Sequence, residues 1–164
     1  MRLYTAYHDS PLGTLKIVCS EEHLTGVIFW EGEVTHENDS HPLLQKSIEQ
    51  LEQYFSGKRK AFDLPIKQDG TEFQQQVWNL LLSISFGKTI SYQQLATQYG
   101  DLKAIRAVAS ANGKNNLAII VPCHRVIGSN HSLTGYAGGL WRKKWLLEHE
   151  TKHHAGIEQL GLVF

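Results

Sequence analysis

Apolar and β-branched residues alternate with polar ones in three short runs near the start of the chain, RLYTAY, GTLKIVCS and LTGVIFW. A period of two marks a strand with one face buried. The separators Pro11-Leu12-Gly13 and Ser20-Glu21-Glu22-His23 form turns readily, so the runs predict an antiparallel meander. The period then lengthens. In residues 41–55, HPLLQKSIEQLEQYF, the apolar positions Leu43, Leu44, Ile48, Leu51, Tyr54 and Phe55 recur at helical spacing, and Gly57 follows as a stop. A basic loop, GKRKAFDLP, leads to residues 65–70, where the first lobe is expected to end.

The second half reads as mostly helical. FQQQVWNLLLSI (73–84) follows Thr71, an N-cap residue, and stops near Phe86-Gly87. In SYQQLATQYG (91–100), Ser91 and Gln94 are spaced as a capping box and Gly100 stands where a helix C-terminus wants glycine. The chain restarts at Asp101 and runs through AIRAVASANG to Gly113. Two short helices joined by a tight glycine turn, the second carrying a basic residue, make a helix-turn-helix pattern, although any packed helix pair has this spacing. Residues 119–121 read as a buried strand ended by Pro122, which lacks the N–H that a ladder needs. A last helix, GLWRKKWLLEHE (139–150), sets Leu140, Leu146, Leu147 and two tryptophans against Arg142, Lys143 and Lys144. The expected class is α/β (α+β), with a lobe over 1–69 and a second over 70–164, and there is no internal repeat or low-complexity segment.

Composition narrows this picture only in places. With 164 residues, 41% hydrophobic and 20% charged, the chain is that of a globular domain or two small lobes. MRLYTAYHDS has no apolar leader core, and no run approaches the roughly 18 apolar residues of a membrane span, so a cytoplasmic protein without a membrane partner is expected. The net charge is zero but unevenly spread. Residues 1–72 hold seven Lys/Arg against 12 Asp/Glu, whereas residues 73–147 hold eight against Asp101 alone. Such asymmetry fits nucleic-acid binding by the basic part, or a solvated basic face. The two cysteines, Cys19 and Cys123, have no Cys-x-x-Cys spacing, which argues against a disulfide framework or a cysteine-based zinc site. Cys19, in LKIVCS, reads as a small core hydrophobe.

Cys123 lies in IIVPCHRVIG, where a thiol, an imidazole and a guanidinium interrupt an apolar run. It reads either as a nucleophile or as filler at a strand end. A free thiol is only roughly 3% ionised at neutral pH, so a nucleophile needs an activator. His124, oriented by Glu148 or Glu150 of the last helix, would complete a nucleophile, base and orienter set. Neighbours in an extended segment point to opposite faces, so the Cys–His link would run through a water. Arg125 reads as a structural ion pair or a substrate contact. The small residues of ASANGKNN (109–116) and TGYAGG (134–139) suit either close packing or close approach of backbone to a ligand.

Taken together, GTEFQQQVW, ISYQQLA, RAVASANGKN, VPCHRVIG and GYAGGLWRKKWLLEHE resemble, in this order, the O6-alkylguanine-DNA alkyltransferases, the methylated-DNA–protein-cysteine methyltransferases. These segments cover most of residues 70–150. The resemblance implies a ribonuclease H-like N-terminal lobe and a winged-helix-like C-terminal domain. It implies a single-turnover DNA repair protein that flips an alkylated guanine out of the duplex and moves the alkyl group irreversibly to its own cysteine, with O4-alkylthymine as a second candidate substrate. Cys123 matches the acceptor. His124 and Glu150 match the pair that, with a water, eases thiolate formation. Tyr92 matches the tyrosine that serves guanine N3 and contacts the DNA, and Asn115 the asparagine that braces the recognition helix. Arg106 matches the arginine that fills the space of the flipped nucleotide. Ala107, Ser110, Ala111, Asn112, Gly113 and Lys114 lie on the helix that docks in the minor groove. Tyr136, Ala137, Gly138, Gly139 and Val126 match the alkyl pocket.

The implied partner is double-stranded DNA with an alkylated guanine, bound by a monomer without a cofactor. No metal site is expected: the zinc ligands that some members carry in the N-terminal lobe have no match, and His153-His154 is a poor ligand pair. The chain departs from the family at Asn116, usually proline, and Ala109, usually glycine. A lesion-binding module without transfer is the alternative, which the presence of Cys123 disfavours. A cysteine hydrolase lacks an oxyanion-hole motif.

Overall fold

In the computed structural model, residues 1–154 are described. Strands β1 (Tyr4–Ser10), β2 (Gly13–Cys19) and β3 (Leu24–Phe29) form the antiparallel meander in the order β1-β2-β3. Their alternation places Ala6, Leu15, Ile17, Cys19 and Val27 on a buried face. Helix α1 (Pro42–Phe55) covers that face with Leu44, Leu51 and Tyr54. It starts on His41, whose ring Nδ1 accepts from the Leu43 N–H at 3.1 Å, with Pro42 supplying the fixed φ of a first helical residue.

The chain divides into two units, one holding 1–69 with 116–120, the other 70–115 with the chain from Val121 onward. The return of 116–120 to the first unit had no signal in the sequence. There Leu117 makes a parallel bridge with Val27, and Ile66 makes one with Leu24. Asn116 uses the N–H that a proline would lack: it donates to Gln68 Oε1 at 2.9 Å, while its carbonyl accepts from Val27 N at 2.9 Å. The turn is therefore tied down by hydrogen bonds rather than by a ring.

The second unit packs α2 (Glu72–Leu81), α3 (Tyr92–Tyr99) and α4 (Ile105–Gly113) around Val77, Trp78, Leu81, Leu95, Ala96, Val108 and Ala111. Capping boxes start α2 at Thr71 and α3 at Ser91. Gly100, at φ 106°, adopts the left-handed geometry that lets α3 stop and a 3-10 turn (Leu102–Ala104) feed α4. The Trp78 indole donates to the Ala111 carbonyl at 2.9 Å. A two-residue parallel ladder, β4 (Ile90–Ser91) against β5 (Val126–Ile127), had not been expected, being too short to show a period. Helix α5 (Leu140–His154) closes the described chain, and residues 155–164, the rest of the tail, lie outside it.

Two expectations are corrected. Residues 119–121 are buried but form no strand; after Leu117 the chain turns, and Ile119 sits at φ 72°, a strained geometry for a β-branched residue. The apolar run records burial, which a turn and a strand share. On α5, Leu146 is buried and Lys144 exposed as expected, but Arg142 and Lys143 are buried whereas Leu140 and Trp141 are about half exposed, the reverse of what was expected for these four. Both cations bond loop carbonyls, as described below. Among the described residues no helix is long and apolar enough to cross a membrane.

Candidate active site

Pro122 ends the turn, and Cys123–Arg125 form a single 3-10 turn before β5. The tight turn sends three consecutive polar side chains into one buried region, with Cys123 7%, His124 0% and Arg125 6% exposed. Such groups need partners, and α5 supplies the central one. The Glu150 carboxylate accepts from His124 Nε2 at 2.7 Å, from Arg125 Nε at 2.8 Å and Nη2 at 3.1 Å, and from the Gly87 N–H at 3.3 Å. Arg125 Nη1 also donates to the Ile84 carbonyl at 2.6 Å. Arg125 is thus the ion-pair partner of Glu150.

This network sets the imidazole. A carboxylate on Nε2 keeps the ring proton there, which leaves Nδ1 as the basic nitrogen. His124 Nδ1 is buried and has no hydrogen-bond partner among the described residues. Burial lowers the His124 pKa, against the opposing pull of Glu150, so the ring rests neutral. Burial alone would raise the Glu150 carboxyl, but His124 and then Arg125 hold it far below the usual carboxylate range.

The thiol has its own surroundings. Asn115, just past α4, donates its Nδ2 to the Val121 carbonyl at 2.8 Å and to Cys123 Sγ at 3.3 Å. Burial pushes the Cys123 thiol up, while the Asn115 bond and the positive charge of Lys143 act the other way. Lys143 is a site residue that sequence reasoning missed. Its Nζ donates to the Thr134 carbonyl at 2.8 Å and lies 5.6 Å from the Tyr92 ring centre. Burial brings its pKa down to about 8 even though Cys123 raises it. Arg142 Nη1 donates to the Gly138 carbonyl at 2.9 Å, so two α5 cations fasten both ends of the 134–139 loop.

Tyr92 opens α3, and its hydroxyl donates to the Thr134 carbonyl at 3.3 Å. Burial raises its pKa, and the charge of Cys123 adds to that. In the loop, Gly138 is buried, Tyr136 and Gly139 are half-buried and Ala137 is exposed; Val126 is buried at the start of β5. Burial drives the Tyr136 hydroxyl well above its usual range, with Cys123 next in effect.

Of the α4 residues expected at DNA, Arg106, Ala107, Ser110, Gly113 and the following Lys114 are exposed. Ala111 and Asn112, 2% and 4% exposed, are not on that surface. The Ala111 carbonyl holds the Trp78 indole, and the Asn112 Nδ2 donates to the Cys123 carbonyl at 3.4 Å.

Family models for the 6-O-methylguanine DNA methyltransferase match the chain twice, the ribonuclease-like domain over residues 3–68 and the DNA-binding domain over residues 72–152. A methylated-DNA–protein-cysteine methyltransferase of Methanosarcina acetivorans is 44% identical over 153 residues, which is 90% of this chain and 98% of that one. The constitutive enzyme of the same name from Bacillus subtilis is 45% identical over 146 residues, covering 84% of this chain and 88% of its own. The crystal structure of the Mycobacterium tuberculosis OGT in complex with DNA superposes with a TM-score of 0.83 at 43% identity, covering 91% of this chain and 93% of that one.

Proposed function

The chain belongs to the methylated-DNA–protein-cysteine methyltransferase family, and we propose that, as a monomer on double-stranded DNA, it moves the alkyl group of an O6-alkylguanine irreversibly to Cys123, once per molecule. The observation that carries this reading is the buried Cys123 thiol followed in the chain by a neutral imidazole whose Nδ1 has no hydrogen-bond partner among the described residues and whose Nε2 donates to Glu150, itself held by Arg125.

The step balances without a cofactor. His124 Nδ1 takes the thiol proton through a water, and Sγ attacks the alkyl carbon in line with the bond to O6. The carbon–oxygen bond breaks, and its electron pair passes into the purine ring. Tyr92 gives a proton to N3, so that neutral guanine leaves and a thioether remains. A thioether is not hydrolysed, which makes the reaction stoichiometric. The alkyl carbon is out of reach inside a stacked duplex, so the nucleotide must be flipped at a cost of a few kcal/mol. The exposure of Arg106 on α4 supports it as the side chain that enters the stack, and the small exposed residues Ala107, Ser110 and Gly113 suit close approach to a narrow groove.

Incubation with a duplex bearing O6-methylguanine is expected to add the mass of one methyl group per protein, located on the peptide that contains Cys123. An unchanged mass with intact DNA binding would mean a lesion-binding module. Arg106→Ala is expected to slow repair of the duplex by about tenfold or more, the equivalent of losing part of the unstacking energy, and to slow reaction with the free base much less. Equal losses on both substrates would remove the flipping role.

A further inference from the structure

A three-stranded sheet has two free edges, and every outward N–H and C=O along them needs a partner or water. The β3 edge is closed by backbone. Val27 N donates to the Asn116 carbonyl at 2.9 Å and Ala118 N to the Val27 carbonyl at 3.0 Å, while Leu24 N donates to the Pro65 carbonyl at 2.7 Å and Lys67 N to the Leu24 carbonyl at 3.0 Å. The β1 edge is closed differently. Tyr7 N donates to Asn38 Oδ1 at 2.7 Å, and Asn38 Nδ2 donates to the Tyr7 carbonyl at 3.2 Å. Thr5 N donates to Asp39 Oδ2 at 2.8 Å, and Asp39 N donates to the Thr5 carbonyl at 2.9 Å. All of these except the last use a side chain of the covering segment. A side-chain amide offers donor and acceptor together, so Asn38 stands in for the peptide group of a neighbouring strand.

This cover is short. Residues 31–40 form no helix or strand, and 31–38 are exposed. Beyond Tyr7 the segment leaves the strand, and His8, Asp9, Val34, Thr35 and His36 line a groove between the two. We propose that Asn38 and Asp39 guard the β1 edge against a second copy of this chain, and that the strand they cover pairs with itself as an antiparallel ladder about a two-fold axis at Tyr7. The strand suits this partner. Its outward backbone groups belong to Thr5 and Tyr7 and, by the same period of two, to Asp9. The axis sets Tyr7 opposite its own copy and Thr5 opposite Asp9 of the second copy, so no like charges meet. Thr and Tyr are also strong strand formers. The guard occupies the bonds that such a ladder would use, and so keeps the chain monomeric. Neither guard residue belongs to the proposed alkyl-transfer site, so this proposal and that reading fail separately.

The test is sedimentation of the full chain across a range of concentrations, with and without the paired changes Asn38→Ala and Asp39→Ala. The double variant is expected to dimerise at concentrations at least about tenfold lower than the wild type, the equivalent of one or two hydrogen bonds no longer competed for. Amide exchange locates the contact. The β1 amides should exchange faster in the dilute variant than in the wild type, and slow again as the dimer forms. Adding Thr5→Pro is expected to restore the monomer, because proline is tolerated at an outward N–H of an edge strand and not in the middle of a sheet. If the double variant does not fold, Asn38→Ala alone frees the edge at Tyr7 and is read in the same way. Dimerisation no stronger in the variant than in the wild type would overturn the proposal. So would a dimer whose β1 amides stay unprotected, or one that survives Thr5→Pro.

Discussion

Replacing Cys123 by alanine is expected to abolish alkyl transfer while duplex binding persists. The thiol is the strongest nucleophile of the site once ionised, whereas His124 Nδ1 serves as base, Lys143 Nζ is held by the Thr134 carbonyl and Asn115 only donates. The cost to folding is small, about 1 kcal/mol, since the change removes one buried sulfur. Asn115 keeps its bond to the Val121 carbonyl at 2.8 Å and is not left unsatisfied. Mass spectrometry after exposure to methylated duplex, with a gel-shift on the same sample, checks both halves. A methyl group gained by the variant would show that the acceptor lies elsewhere.

The one other place for it is Cys19, and the structure argues against it. Cys19 Sγ lies 3.7 Å from His41 Nδ1, and His41 Nε2 lies 3.5 Å from Glu21 Oε1, so a cysteine, histidine and glutamate stand in a row. The resemblance to a catalytic set ends there. His41 Nδ1 already accepts from the Leu43 N–H as the cap of α1. Cys19 is fully buried in the face of the sheet, and burial pushes its pKa up to about 11, with Glu21 adding to the rise. Proximity of residue types is common to both sites; an uncommitted basic nitrogen is found only at His124.

What could be read from the sequence follows the physical range of each interaction. The three strands, the capping boxes at Thr71 and Ser91 and the glycine stop at Gly100 depend on neighbours a few residues away, and the structure shows them. The 116–120 segment and the β4–β5 ladder depend on partners far along the chain, and no local period announces them. The exposures on α5 were misread because charge was taken to mean solvent. Lys143, Leu146 and Glu150 are spaced i, i+3, i+7, which places them on one face, and that spacing could have marked Lys143 as a neighbour of the site. Asn112 was assigned to DNA with the rest of its helix. Only the register of α4, with Val108, Ala111 and Asn112 buried together, sets it apart.

Glu150→Gln is expected to lower the single-turnover rate by about 10²- to 10⁴-fold, the range that a positioned general base contributes, its upper end being the loss when the orienting carboxylate of a triad becomes an amide. A glutamine can present its N–H₂ to His124 Nε2, which moves the ring proton to Nδ1 and removes the base. The same change leaves the Arg125 guanidinium, 6% exposed, without its anion, at a cost of about 3–5 kcal/mol. The pH dependence of stability separates the two effects. In the wild type, His124 has a pKa below its unfolded value near 6.5, so the unfolded chain alone gains a proton below that pH and stability falls. Glu150 has a pKa below its unfolded value near 4.3, so its contribution is complete above that pH and is lost as the pH drops further. Melting temperature should therefore decline on the acid side in two steps. The variant should start lower, keep the step near pH 6.5 and lose the one below pH 4.3. A folded variant with a wild-type rate would show that the carboxylate holds the structure together without orienting the base, and the assignment of His124 Nδ1 as the proton acceptor would fail with it.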